Sequence, residues 1–182
     1  MNMIVVMATV WYLAATPAFL QSQSAKEKNP AVPIHDMRLC PIQERHTHMK
    51  ERGAVGMGFS QSATAHHFLI QANGGAIQVA AKGLHDEASR DSIRHHLKHI
   101  VHAFASADFD IPMFVHDTTP PGVPEMKNLR GKISYTFSET PGGGQVLIRT
   151  SDPQALAAIH KFLKFQIEDH QTGDSVVAPT DK

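Results

Sequence analysis

The pattern of apolar and polar positions divides residues 66–173 into two similar halves. Each half has two short segments that favour strands, joined by a glycine-rich turn, followed by a longer segment with helical spacing. The predicted strands are His66–Gln71, Ala76–Ala81, Lys132–Glu139 and Gln145–Thr150, and the predicted helices are Asp86–Ala107 and Ser151–Asp169. We therefore expect an α+β fold, in which two ββα units form one antiparallel four-stranded sheet with two main helices on one face.

The two predicted helices begin in the same way and carry matching core positions. Asp86 and Asp152 are typical N-cap residues, and Pro153 suits the first helical turn. Ile159 stands at the same distance from Asp152 as Ile93 does from Asp86. This match has two explanations: internal duplication, or the requirements that every ββα unit shares.

The segment between the halves predicts less regular structure. Asp108–His116 is apolar and suggests a short strand or extended segment, and Pro124–Leu129 suggests a turn or two of helix. The sheet face away from the helices then needs a cover. The N-terminal arm, residues 108–130 and a second copy of the chain are the candidates, so a homodimer is among the expected assemblies.

The ends of the chain predict export and little regular structure. Ile4 to Leu20 contains no charge, so residues 1–25 are typical of a signal peptide, with an uncleaved N-terminal anchor as the alternative. We expect a periplasmic or secreted protein that meets a membrane only through this segment. Residues 26–65 are predicted to form a linker and an irregular arm, residues 66–173 a single domain, and residues 174–182 a disordered tail.

Charge and motifs exclude several classes of function. Lys and Arg together number 17, as do Asp and Glu, so no net positive field favours nucleic acid as a partner. Cys40 is the single cysteine and cannot form an internal disulfide. The chain has no nucleophile elbow, no phosphate-binding loop, no dinucleotide-binding fingerprint and no His-Glu-x-x-His zinc motif.

Histidine is the unusual residue of this chain, with 13 copies in 182 residues. Imidazole is the commonest metal ligand and suits copper and zinc. On the first predicted helix His95, His99 and His102 share the side opposite the apolar stripe, and His96 lies at its border. The predicted metal ligands come from the first strand, the first helix and the 108–116 segment. They are His66, His67, His96, His99 and His116.

The function that this set favours is an exported, histidine-rich, metal-binding protein that takes copper or zinc. If it is an enzyme, the metal would polarise a substrate or activate water or oxygen. The first alternative is a non-enzymatic binding or oligomerisation module with a pH-sensitive histidine surface. Haem binding is a further alternative, although no Cys-x-x-Cys-His motif exists for covalent attachment. His160 and His170 lie on or near the apolar stripe of the last helix, where buried, hydrogen-bonded histidines are expected.

Several short runs between Met49 and Asp174 carry a family resemblance. They are Glu51-Arg52-Gly53, Met57-Gly58-Phe59, His66-His67-Phe68, Ile93–Ile100, Asp108-Phe109, His116, Pro120-Pro121-Gly122 and Phe165–Asp174. On these runs the chain resembles a family of small, histidine-containing, exported bacterial proteins of uncertain function, often labelled aspartate carbamoyltransferase. The chain is far shorter than a two-domain transcarbamoylase and lacks its Ser-Thr-Arg-Thr-type loop, so the resemblance implies no such activity. It places the predicted ligands and His170 within matching motifs.

Overall fold

The computed structural model describes residues 41–83 and 85–179, which form a two-layer α+β structure. The elements in chain order are α1 Pro41–Met57, β1 Thr64–Gln71, β2 Gly74–Ala81, α2 Glu87–Ala105, α3 Asp110–His116, α4 Val123–Asn128, β3 Ile133–Thr140, β4 Gly143–Thr150 and α5 Pro153–His170. The strands form one antiparallel sheet in the order β1-β2-β4-β3. The fold predicted from the sequence, two ββα units with one shared sheet, is therefore confirmed.

The sheet has one apolar face, and both long helices lie against it. Phe68 pairs with Ile77, Ile77 with Val146, and Val146 with Phe137, which aligns four large side chains in one row across all four strands. Because side chains alternate between faces along a strand, their chain neighbours point to the other face. There Gln78 donates a hydrogen bond to Gln145, so the second face is at least partly polar.

Helices α2 and α5 are amphipathic, and each is capped by an aspartate. The Asp86 carboxylate accepts a hydrogen bond from Ser89 N at 3.0 Å, and Asp152 caps α5 in the same way. Ile93 and Ile159, at equivalent helical positions, are both fully buried. Burial of an aliphatic side chain of this size contributes roughly 2 kcal/mol, so the inward stripes of the two helices are a main source of stability.

Two glycines let the helices approach the sheet closely. A Cβ on Gly75 of β2 would lie 2.2 Å from the Leu163 side chain of α5, and a Cβ on Gly143 of β4 would lie 3.0 Å from Ile93 of α2. Each long helix therefore rests on a glycine in the strand pair of the other unit. This reciprocal contact ties the two ββα units together.

The N-terminal arm is more ordered than the sequence predicted. Residues 41–57 form helix α1, and β1 begins at Thr64, so the prediction of an irregular arm through residue 65 is wrong over this range. The helix has a weak apolar stripe, and Met49 is the only large buried side chain among its residues 43–57. Polar contacts fix it instead: Arg45 pairs with Asp169, and Arg52 Nε donates to the Val115 carbonyl at 3.0 Å.

One further prediction, of a short strand or extended segment at Asp108–His116, is wrong. Residues 110–116 form helix α3 rather than a strand, and its buried side chains Pro112 and His116 are spaced four residues apart, as on one helix face. The tail from residue 174, predicted to be disordered, is tied to β1 at its start. The Asp174 carboxylate accepts hydrogen bonds from Phe68 N and from the His67 ring, both at 2.9 Å.

The predicted export segment cannot be compared with the structure. Residues 1–25, the linker at 26–40 and Cys40 lie outside the described residues, as do 180–182. Within the part of the chain that is described, no helix is both long enough and apolar enough to cross a bilayer.

Candidate histidine-lined cavity

A cavity of about 60 Å³ lies between the sheet, the two long helices and the end of α3. Most of its lining is apolar, including Phe68, Ile77, Val79, Leu97, Ile100, Phe104, Val115 and Phe162. Four imidazoles interrupt this lining: His66, His96, His116 and His170. One water needs roughly 10–15 Å³ measured in this way, so the cavity has room for a small ligand.

Four different elements bring these histidines together. His66 is on β1 and shares the inward face with Phe68, and His96 is on the border of the apolar stripe of α2. His116 is the last residue of α3, and His170 is the last residue of α5. The four residues are far apart in sequence, so only the folded chain creates this cluster.

The rings contact one another and one intervening aromatic side chain. His66 stacks on His170 with centroids 5.9 Å apart, and the edge of His170 meets His116 at 5.0 Å. Phe59, which follows α1, stacks against His66 at 6.1 Å and meets His96 edge-on at 5.6 Å. Phe59 thus closes the side of the cluster between His66 and His96.

Burial keeps three of the imidazoles neutral. Desolvation, then the nearby His67 and Lys82, lowers the pKa of His66 to about 4. Desolvation, then His99, His66 and His95, lowers the pKa of His96 to about 4. Desolvation and the neighbouring His116 and His66 lower the pKa of His170 to about 3, against an opposing effect of Asp169. At neutral pH each ring therefore keeps a lone pair for a ligand.

The same three imidazoles lack hydrogen-bond partners among the described residues. The Nε2 of His66 is buried without a partner. His96 is 8% exposed and His170 is half-buried, and burial is the largest effect on the pKa of each ring. Buried polar atoms in folded proteins are nearly always satisfied, so the unpartnered His66 Nε2 at this cavity needs an explanation. Ligand binding supplies one.

His116 differs, because both of its ring nitrogens are engaged. Its Nδ1 lies 2.6 Å from the Asp169 carboxylate and its Nε2 lies 2.9 Å from Gln166 Oε1. Asp169 also pairs with Arg45 of α1. Burial raises the pKa of Asp169, but the contacts with His116 and Arg45 outweigh it and hold that pKa below its usual value. The carboxylate therefore stays charged and fixes the His116 ring at the cavity wall.

The structure brings together three of the five histidines predicted as ligands. His66, His96 and His116 line the cavity, whereas His67 and His99 do not. His67 points to the opposite face of β1, as strand alternation requires, and contacts Asp174. His99 is exposed on α2.

Two cavity residues were missed by sequence reasoning. His170 was expected to be a hydrogen-bonded core histidine, but the described residues offer its ring no partner. Met57, at the end of α1, lines the cavity with its thioether. A signal for His170 existed: with Gln166 it continues the inward stripe of Leu163 and Ile167, where apolar residues are expected.

The chemistry of these donors suits copper or zinc, but their nitrogen atoms do not converge on a single position. No group of three or more His, Cys, Asp or Glu side chains within residues 41–83 and 85–179 is arranged to hold a metal ion as it stands. The imidazoles are spread around the cavity, so chelation requires ring rotation inward. A staggered side chain can make such a change at a cost of about 1 kcal/mol.

The fold and cavity define a class: a two-layer α+β protein with neutral histidines around an apolar cavity. No known family model, curated protein or solved structure matches this chain. The family resemblance suggested by the sequence motifs therefore stays a prediction.

Proposed function

We propose that this protein binds one copper or zinc ion in the cavity, through the imidazoles of His66, His96 and His170. The observation that carries the proposal is that these three neutral rings line one cavity, where the buried Nε2 of His66 has no hydrogen-bond partner among the described residues. Neutral imidazole is the form that binds metal. Three such ligands match the donor set of open zinc sites, which keep one position for water or substrate.

The surroundings of the cavity suit a small ion and limit the access of water to it. The wall is apolar, so water is largely excluded, and a bound ion would exchange slowly. Met57 adds a thioether, which softer copper(I) prefers. His116, held by Asp169 and Gln166, acts as a positioning residue, because its ring packs against the ring of His170.

The test is metal content of the full chain, produced without an affinity tag and compared with a matched variant. His96→Phe is suitable because Phe162 occupies the equivalent position of α5, ten residues after the capping aspartate. Wild type is expected to hold a tightly bound ion after dialysis, and His96→Phe to lose it while remaining folded. His102→Asn, which removes an exposed imidazole of α2, should keep the ion.

A wild-type protein that is folded but takes up neither copper nor zinc would overturn the proposal. Metal-independent behaviour with a concentration-dependent oligomer would then support the alternative of a binding module. Haem binding stays a separate prediction, and a Soret band in the purified protein would reveal it.

A further inference from the structure

A second set of imidazoles lies on the outside of α2. His95 and His99 are both exposed and four residues apart, and neither lines the cavity. On a helix, residues four apart are neighbours, with Cβ atoms roughly 5–6 Å from each other. Two exposed imidazoles at this spacing can reach the same ion without desolvation of buried groups.

Helical geometry also places this pair beside the cavity. At about 100° per residue, His99 lies about 40° from His95 and about 60° from His96 around the helix axis, and it lies between them. His96 is the cavity ligand of α2, with Leu97 and Ile100 on the same inward side. His99 can therefore pair with His95 on the surface or with His96 toward the interior.

We propose that His95 and His99 form a surface capture site for copper or zinc, and that His99 passes the captured ion to His96. This inference rests on the proposed metal binding in the cavity. In the transfer step, a metal–nitrogen bond to His96 forms as the bond to His95 breaks. His99 holds the ion throughout. The oxidation state of the ion does not change, and no proton moves because His96 is already neutral.

The test uses the full chain, with zinc as the probe, and measures both stoichiometry and loading rate. Competition with a chromophoric chelator counts the ions, and stopped-flow mixing follows their uptake. Wild type should bind a tight ion and a second, weaker one. The His95→Asn/His99→Asn double variant should keep the tight ion and lose the weaker one. It should load the cavity roughly tenfold more slowly, because no ion is then held at high effective concentration beside His96.

The matched control is His48→Asn/His85→Asn, which also removes two exposed imidazoles, neither of them on α2. It should leave the loading rate unchanged. Unchanged loading in the His95/His99 variant, or equal slowing in the control, would overturn the capture and transfer proposal. Complete loss of zinc binding in the His95/His99 variant would instead overturn the cavity site, because the surface pair would then account for all bound metal.

Discussion

The ring of His66 stacks on the ring of His170, with centroids 5.9 Å apart and planes inclined by 13°. The contact joins the first strand to the end of the last helix. Two protonated imidazoles at this distance would repel each other, and burial already disfavours charge on each of them. The stacked pair is therefore most stable when both rings are neutral.

This neutrality predicts a loss of stability in mild acid. In the unfolded chain the imidazoles titrate near 6.5, whereas in the folded chain the pKa values of His66 and His96 are about 4 and that of His170 is about 3. As the pH falls below 6.5, the unfolded state binds protons that the folded state does not bind. Each imidazole then lowers the free energy of unfolding by up to about 1.4 kcal/mol per pH unit.

Denaturant unfolding without added metal between pH 7.5 and 5 measures this effect. The His170→Phe variant should show a shallower slope, by the contribution of one proton, because Phe104 shows that an aromatic side chain fits the equivalent position of α2. His102→Asn removes an exposed imidazole and should leave the slope unchanged. A wild-type stability that is flat across this range would contradict the neutral cluster.

Asp169→Asn should destabilise the protein by about 2 kcal/mol and loosen helix α1. The Asp169 carboxylate, 7% exposed, lies 2.6 Å from the buried His116 ring and also holds Arg45. Breaking a buried pair leaves a polar partner unsatisfied, but Arg45 is well exposed and contributes less. Chemical denaturation measures the free energy, and limited trypsin cleavage at Lys50 and Arg52 reports release of α1.

Glu168→Gln is the control for this variant, since the neighbouring carboxylate is exposed and its contact with Lys164 is long, at 3.8 Å. Its effect should stay within about 0.5 kcal/mol. Equal effects of the two substitutions would mean that the contacts of Asp169 with Arg45 and His116 add no more to the free energy of unfolding than a surface contact does.

Gly122→Ala should destabilise the junction of α4 with α5 by about 2 kcal/mol or more. Gly122 has φ +88°, and a Cβ there would lie 2.2 Å from the Ala158 carbonyl oxygen. Both the backbone conformation and the close approach therefore favour glycine. Gly131→Ala is the control, because nothing lies within 4 Å of its Cβ position. Thermal unfolding should separate the two, and similar melting temperatures would contradict this account.

The fold was largely predictable because its strands and long helices bury apolar side chains at regular spacing. The helical spacing of Ile93, Leu97 and Ile100 predicts α2 and its buried side, which the sheet covers. Helix α1 carries little such signal, since Met49 is the only large buried side chain among its residues 43–57, and polar contacts with distant residues also anchor it. Contacts of that kind have no periodicity, so the sequence could not predict the helix.

The candidate site was predictable only in part, for a related reason. Histidines could be assigned to elements, and alternation showed that only one of His66 and His67 could join a given site. The sequence could not show that the end of α5 returns to β1, which is what brings His170 to His66. Likewise Met57 reaches the cavity, and Phe59 reaches the rings of His66 and His96, because α1 is folded, and that helix was not expected.

Met57→Leu should distinguish copper from zinc in the cavity. Met57 is the only residue with a thioether among those that line the cavity. Leucine has a similar volume, so the substitution keeps the apolar wall intact. A thioether is a good ligand for copper(I) and a poor one for zinc. The variant should therefore lose about tenfold in copper(I) affinity, roughly 1.4 kcal/mol, while zinc affinity changes little. Competition titrations under reducing conditions give both constants, and an equal loss for both ions would show that Met57 only fills space beside the imidazoles.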